Sequence, residues 1–258
     1  ERMAAIAQLP LADHPGKKFV YHVGFPILGA VLEAAAGQDM GQFFKEQIFE
    51  PLGMVDSDFY VADDALDRFP PCYVPKEIDG KIQLVVQEAV ETSEKLLGPK
   101  TNFGVGGDAG GVLSTITDYA RFGQMLLNGG WMDGCLSEGM IEGAICAPGI
   151  SENVQIVSER LAELFTGRFD DSASRALGWD TPSGRSSAGD YFTSSAFGHT
   201  GYTGTSIWLD PELEMFVVLL TNRVNPTREN QKHVALRRSV HDLASLAIED
   251  RTVARRSN

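Results

Sequence analysis

The chain has 258 residues, of which 43% are hydrophobic, 22% charged and 9% aromatic, enough for one sizeable core or two lobes that share an interface. Asp and Glu outnumber Lys and Arg by 35 to 22, and the net charge of −13 repels nucleic acid and anionic membranes. The three cysteines are too few and too scattered for a disulfide framework or a zinc site, and no apolar run reaches membrane-spanning length. We therefore expect a globular protein with no nucleic-acid partner, no membrane span and no metal site.

The first half of the sequence predicts mainly helices. Asp39 is the expected N-cap of one helix, and Ser114 or Thr115 caps another that Gly129 and Gly130 close. The predicted elements are helices at 25–37, 39–54, within 114–130 and at 152–165, and extended segments at 68–75 and 81–90. The apolar positions that fall on one face of the first helix are Ile27, Leu28, Val31, Leu32 and Ala35.

From residue 176 the spacing of hydrophobic residues changes from one typical of helices to one typical of strands. Two β-rich runs, 202–210 and 214–223, are joined by a turn, and the unbroken apolar run at 215–220 predicts a strand buried on both faces. A final amphipathic helix covers 228–248, with its apolar face at Leu236, Val240, Leu243 and Ala247. The order predicts an α+β fold, with a mainly helical lobe at 1–175 and an antiparallel sheet lobe, covered by the last helix, at 176–258.

The segment FGHTGYTGTSIWLD (197–210) is interpreted as one strand with a histidine at its entrance and two glycines. Gly201 and Gly204 would let a ligand lie close to the backbone, and a free N–H there could stabilise an oxyanion. His199 could donate a proton or carry positive charge beside it. The alternative, a bulged strand with an exposed histidine, stays open on this motif alone.

Two other segments contain residues that could take part in chemistry. Tyr21 lies between an extended piece and a helix start, where a side chain can project into a cleft, although a packing role explains such a tyrosine equally well. The glycine-rich segment GVGGDAGGVLST lacks the Gly-Lys-Ser/Thr ending of a phosphate-binding loop. No nucleotide, metal or organic cofactor is therefore expected.

The chain resembles the serine β-lactamase and penicillin-binding-protein superfamily, most of all its class C-like enzymes and the related carboxylesterases. The resemblance lies in three segments in the family's order: FVYHVGFPILGAVLEAAAGQDMGQFFKEQIFEPLGM, GGVLSTITDYARFGQMLLNGG and FGHTGYTGTSIWLDPELEMFVVLLTNR. Members use a Ser-x-x-Lys nucleophile, a Tyr-x-Asn or Ser-x-Asn motif and a Lys-Thr-Gly motif. The resemblance implies catalytic roles for Tyr21 and for the Tyr202 N–H as oxyanion donor, and substrate binding by His199, Thr200, Gly201 and Val23.

The sequence departs from the family pattern at three points. Val23 replaces the amide of the second motif, which argues against efficient β-lactam turnover and favours a carboxylesterase. His199 replaces the lysine of the third motif, and a histidine carries less positive charge at neutral pH. No Ser-x-x-Lys occurs, and the nearest pattern, Thr92-x-x-Lys95, follows Tyr21 instead of preceding it.

We therefore expect a chain that is incomplete at its N-terminus and nearly inactive alone, with the missing segment or another chain completing the fold. Three hypotheses follow: a serine hydrolase acting through an acyl-enzyme on a small-molecule ester or amide, with carboxylesterase favoured; a peptidase for D-amino-acid or cell-wall peptides, or a β-lactamase; and a non-catalytic binding protein of the same fold. The sequence leaves the cellular compartment open.

Overall fold

The structure, a computed structural model, describes residues 2–11, 13–17, 19, 21, 24–88, 112–134, 153–168, 174–184, 186–224, 227 and 229–248. The helices are α1 (Arg2–Ile6), α2 (Gly24–Ala36), α3 (Met40–Phe44), α4 (Ile116–Leu127), α5 (Glu159–Thr166) and α6 (Lys232–Leu246). The strands are β1 (Cys72–Ile78), β2 (Lys81–Glu88), β3 (Trp131–Met132), β4 (Val154–Gln155), β5 (Phe197–Thr200), β6 (Ser206–Asp210) and β7 (Met215–Leu219). The glycine-rich loop before α4 and the Thr92–Lys95 pattern lie outside the described residues.

Helices α2 and α3 confirm the first two predicted helices. Gly37, at φ +69°, ends α2, and the Asp39 carboxylate caps α3 by accepting from the N–H groups of Gly41 (2.9 Å) and Gln42 (3.3 Å). A π-helical turn at Lys45–Phe49 continues α3. The apolar face of α2 is largely uncovered, since Phe25, Ile27, Leu28 and Val31 are all exposed.

Helix α4 joins the helical half to the sheet. The Thr115 hydroxyl caps it by accepting from the Asp118 N–H (3.3 Å), so of the two predicted caps the structure selects Thr115. One side of α4 packs into a core of Phe49, Leu52, Met54, Met125 and Met132, and another packs on strands β6 and β7. The next helix was predicted from 152, but α5 begins at Glu159 because the Ser158 hydroxyl caps it and residues 154–155 pair as β4.

Strands β5, β6 and β7 form an antiparallel sheet in that order. Ile207 and Leu209 face α4, whereas Trp208 faces a second core built from Ala188, Phe192 and Ala196. All five residues of β6 are buried, and those of β7 are half-buried. The prediction of a doubly buried 215–220 strand was therefore wrong: β6 is the central strand, and β7 lies at the edge of the sheet within the described residues.

Helix α6 corrects the predicted apolar face at the C-terminus. Its buried side chains are Arg237, His241 and Ser245, while Leu236 is 50% and Leu243 67% exposed. The polar face of α6 is buried because it lies against hydrogen-bond acceptors. Arg237 donates to carbonyl oxygens of the β5–β6 turn, and His241 Nδ1 lies 2.7 Å from the Ser187 carbonyl. Within the described ranges, the helices are all too short or too polar to cross a membrane.

Candidate active site at the β5–β6 turn

The segment 197–210 is a hairpin of two strands, so the single-strand interpretation was wrong. Strand β5 ends at Thr200 and β6 begins at Ser206. Between them the Gly201 N–H donates to the Thr205 carbonyl (2.7 Å), and the Gly204 N–H donates to the Gly201 carbonyl (3.2 Å). Tyr202 and Thr203 thus occupy the two central positions of a β-turn, and the His-Thr-Gly sequence lies at the end of β5.

Both glycines of the motif fit the geometry of this turn. Gly204 has φ +113°, a conformation that L side chains rarely adopt, and a Cβ there would collide with the Thr221 hydroxyl. A Cβ on Gly201 would collide with the Thr205 hydroxyl. The structure therefore gives a local folding reason for two glycines that the sequence interpretation assigned to the close approach of a ligand.

Side chains from α6 and from the segment that follows β7 donate hydrogen bonds to the carbonyl oxygens of the turn. Arg237 Nη2 donates to Gly201 O (2.9 Å) and Thr205 O (2.8 Å), and the Thr221 hydroxyl donates to Gly204 O (2.8 Å). Arg223 Nε donates to Tyr202 O (2.7 Å). The Tyr202 N–H, by contrast, has no acceptor in the part of the chain that the structure describes. It remains available to a ligand.

The side chain of His199 uses both ring nitrogens within the protein. Nδ1 lies 2.9 Å from the Thr200 carbonyl and Nε2 lies 3.3 Å from Arg175 Nη1. Because a guanidinium only donates, we assign Nε2 as the acceptor and Nδ1 as the donor, which makes the imidazole neutral in this arrangement. His199 therefore presents no free N–H in this geometry, and its part in orienting substrate stays a prediction.

Tyr21 and the His-Thr-Gly sequence meet in the structure. The rings of Tyr21 and His199 lie 6.5 Å apart between centroids at an interplanar angle of 16°. Tyr21 is 54% exposed, and its catalytic role stays a prediction. Val23, the third residue of the tyrosine motif, lies outside the described residues.

Arg175 connects these groups, and sequence reasoning missed it. Its guanidinium carbon lies 5.2 Å from the ring centroid of Phe19 and 5.7 Å from that of Tyr21, distances at which cation–π attraction operates. Arg175 also forms an ion pair with Asp180 (2.5 Å), whose backbone pairs with Gly198 of β5. No signal marks Arg175 in the sequence, because only the fold brings residues 19, 21, 175 and 199 together.

A polar cavity of about 300 Å³ opens beside Asp180. Five hydroxyl side chains, one carboxylate and one indole line it: Ser174, Thr181, Ser183, Ser186, Ser187, Asp180 and Trp208. One of these hydroxyls, on Ser187, accepts from the Trp208 indole N–H (3.0 Å). The space next to the site therefore suits a polar part of a ligand.

The chain belongs to the beta-lactamase family, whose sequence model matches residues 1–242. A protein of Escherichia coli (strain K12) named "Putative D-alanyl-D-alanine carboxypeptidase" is 26% identical over 246 residues, which are 90% of this chain and 52% of the relative. The chain thus spans about half the length of the curated relatives it matches.

Solved structures show the same fold. EstCE1, described as a hydrolase with promiscuous acyltransferase activity, superimposes with a TM-score of 0.60 at 19% identity, over 93% of this chain and 59% of that one. Simvastatin synthase (LovD) from Aspergillus terreus gives a TM-score of 0.66 at 16% identity, with the same two coverages. A β-lactamase from Mycobacterium bovis gives 0.55 at 18% identity, over 90% of this chain and 65% of that one. The expected α+β, β-lactamase-like fold is confirmed.

Proposed function

We propose that the protein is a serine hydrolase that works through an acyl-enzyme on small-molecule esters. One observation carries the proposal: Tyr21 stacks on His199 at the turn whose Tyr202 N–H is unbonded within the described residues. A phenol that can exchange protons and a preorganised backbone donor are two of the groups that acyl transfer needs.

The remaining groups, a nucleophilic serine and its lysine, would come from outside the 258 residues. The serine attacks the ester carbonyl, while the lysine and Tyr21 take its proton and return one to the leaving alcohol. The Tyr202 N–H binds the oxyanion of the tetrahedral intermediate. His199, Thr200, Gly201 and Val23 orient the substrate along the end of β5.

Uncovered apolar surface supports a completing segment. The exposed face of α2, the outward face of α6 at Leu236 and Leu243, and the edge strand β7 all lack a covering element among the described residues. Burying apolar surface and pairing a sheet edge are favourable. We propose that a preceding segment of the natural protein, or another chain, packs there and brings the nucleophile.

A D-alanyl-peptide hydrolase is the second candidate, because the curated relatives carry the name D-alanyl-D-alanine carboxypeptidase. Val23 favours the ester, since it lacks the amide that holds an acyl-amide carbonyl in the family's second motif. A panel of short-chain aryl esters and D-alanyl amides, assayed with the full natural gene product that carries this chain, separates the two.

The full gene product also allows a test of whether the protein is an enzyme or a non-catalytic binding protein. We expect a fluorophosphonate probe to label the full gene product at one serine. The 258-residue chain alone should hydrolyse esters with a kcat lower by about 10⁶, the usual cost of losing a nucleophile. A gene product that has no Ser-x-x-Lys and takes no label would instead be a non-catalytic binding protein.

A further inference from the structure

A buried arginine lies directly behind the β5–β6 turn. Arg237, on the inner face of α6, is 7% exposed. Its Nε donates to Gly204 O (3.3 Å), in addition to the two bonds from Nη2 to Gly201 O and Thr205 O. One guanidinium therefore binds three of the five carbonyl oxygens between Gly201 and Thr205.

One of these three carbonyls belongs to the peptide group that presents the oxyanion donor. Gly201 C=O and Tyr202 N–H are the two ends of a single planar, resonance-stabilised amide. A hydrogen bond that the carbonyl accepts polarises the amide and strengthens its N–H as a donor, more so when the bond is charge-assisted. Arg237 thus acts on the Tyr202 N–H from the opposite end of the same peptide.

The charge of Arg237 is not neutralised by a carboxylate in the described part of the chain, where none of the ion pairs includes it. Burial, and then the nearby Arg223 guanidinium, lower the pKa of Arg237, but arginine stays protonated in proteins. A positive charge without a counterion is costly to bury for stability alone, whereas it favours negative charge that develops at the turn.

We propose that Arg237 is a positioning residue for acyl transfer, which orients and polarises the Gly201–Tyr202 peptide so that its N–H stabilises the oxyanion. The proposal rests on the proposed function. It assigns to α6 a catalytic contribution through the backbone, without contact to the substrate.

The first test measures the peptide itself. In an amide NMR spectrum of the protein, Arg237→Gln should move the Tyr202 ¹⁵N signal upfield, because the carbonyl of the same peptide loses a charged donor. Arg237→Lys should restore part of the shift. Arg238→Gln is the matched control, since Arg238 is the next residue of α6 but binds Ser186 O and Asp190 instead of the turn. A Tyr202 signal that is the same in wild type and Arg237→Gln overturns the proposal.

The second test measures ester hydrolysis by the full gene product. Loss of a whole oxyanion donor costs about 10²–10³ in kcat. Weakening the Tyr202 N–H as a donor should lower kcat about 10-fold and keep KM within about twofold, because its hydrogen bond to the oxyanion tightens only in the transition state. Arg237→Lys should recover most of the loss. Equal kcat for wild type and Arg237→Gln contradicts the proposal. A wild type without hydrolytic activity defeats the proposed function, and the NMR shift then still decides whether Arg237 polarises this peptide.

Discussion

The ring of Tyr21 lies nearly parallel to that of His199, at 16° and 6.5 Å between centroids, although the two residues are far apart in the sequence. This contact brings Tyr21 next to the His-Thr-Gly sequence at the end of β5. The turn that contains Tyr202 follows the His-Thr-Gly sequence directly along the chain, and the Tyr202 N–H has no acceptor within the described residues.

Removing the phenol oxygen tests the proton-transfer role of Tyr21. Tyr21→Phe keeps the ring that stacks on His199 and removes the group that exchanges protons. We expect kcat for aryl esters to fall by about 10²–10⁴, the usual range for one general acid–base group. Tyr60→Phe, an equal change elsewhere on the chain, is the control. Equal kcat for Tyr21→Phe and wild type would remove Tyr21 from the mechanism.

Arg175 holds the aromatic pair through its contacts with Phe19, Tyr21, His199 and Asp180. Arg175→Gln should therefore misplace Tyr21, and a displacement of about 1 Å can cost about 10² in rate. We expect the rate of ester hydrolysis to fall by up to that factor, while the free energy of unfolding changes little. Arg160→Gln, on the exposed side of α5, should leave hydrolysis unchanged. A rate for Arg175→Gln within twofold of wild type would show that Arg175 does not position the site.

Gly204 should be intolerant of any side chain. Gly204→Ala forces a residue at φ +113° against Thr221 and Arg223, and we expect a loss of about 1–3 kcal/mol in the free energy of unfolding. Gly24→Ala is the contrast, because Gly24 begins α2 and a Cβ there has no atom within 4 Å. Urea unfolding of the two variants measures the difference. Equal stability would mean that the turn does not have this geometry.

Buried His241 should make stability depend on pH. Burial lowers the pKa of His241 below its ordinary value of 6.5, and the hydrogen bond to the Ser187 carbonyl opposes this only in part. The unfolded chain binds a proton at His241 more readily than the folded chain does. The contribution of neutral His241 to the free energy of unfolding is therefore complete above about pH 6.5 and is lost as pH falls below it.

The wild type should therefore lose more free energy of unfolding than His241→Gln as pH falls from about 7 to 5. His233→Gln, which changes a half-buried histidine on the same helix, is the matched control. Urea denaturation at each pH provides the comparison. Parallel profiles for wild type and His241→Gln would show that His241 is not held neutral by the fold.

Local features of the fold were predictable from the sequence. Asp39 and Thr115 cap helices because their side-chain oxygens reach the first free N–H groups, and Gly37 and Gly129 end helices because they adopt positive φ. The α+β class followed from the change in hydrophobic period near residue 176. These signals depend on neighbours within four residues along the chain.

Features that depend on distant residues were not predictable. The sequence predicts one strand at 197–210, whereas the structure forms a hairpin there, because the glycines lie in a turn that contacts the distant residues Thr221, Arg223 and Arg237. The apolar spacing predicts a buried face of α6 at Leu236, Val240, Leu243 and Ala247, whereas the structure buries Arg237 and His241, which lie against carbonyl acceptors. The roles of Tyr21, Tyr202, His199, Thr200, Gly201 and Val23, and the lobe boundary near residue 175, stay predictions.

The central claim is that the Tyr202 N–H is the backbone donor for the oxyanion, and replacing Tyr202 with proline tests it most directly. Tyr202 occupies the second position of a β-turn, where proline is favoured, so Tyr202→Pro deletes the N–H while the turn is kept. Tyr202→Ala is the matched control, because it removes the exposed side chain and keeps the N–H.

The measurement is kcat for a short-chain aryl ester with both variants of the full gene product. The account predicts that Tyr202→Pro falls below Tyr202→Ala by about 10²–10³ with similar KM and unchanged unfolding. Equal kcat for the two variants would contradict it.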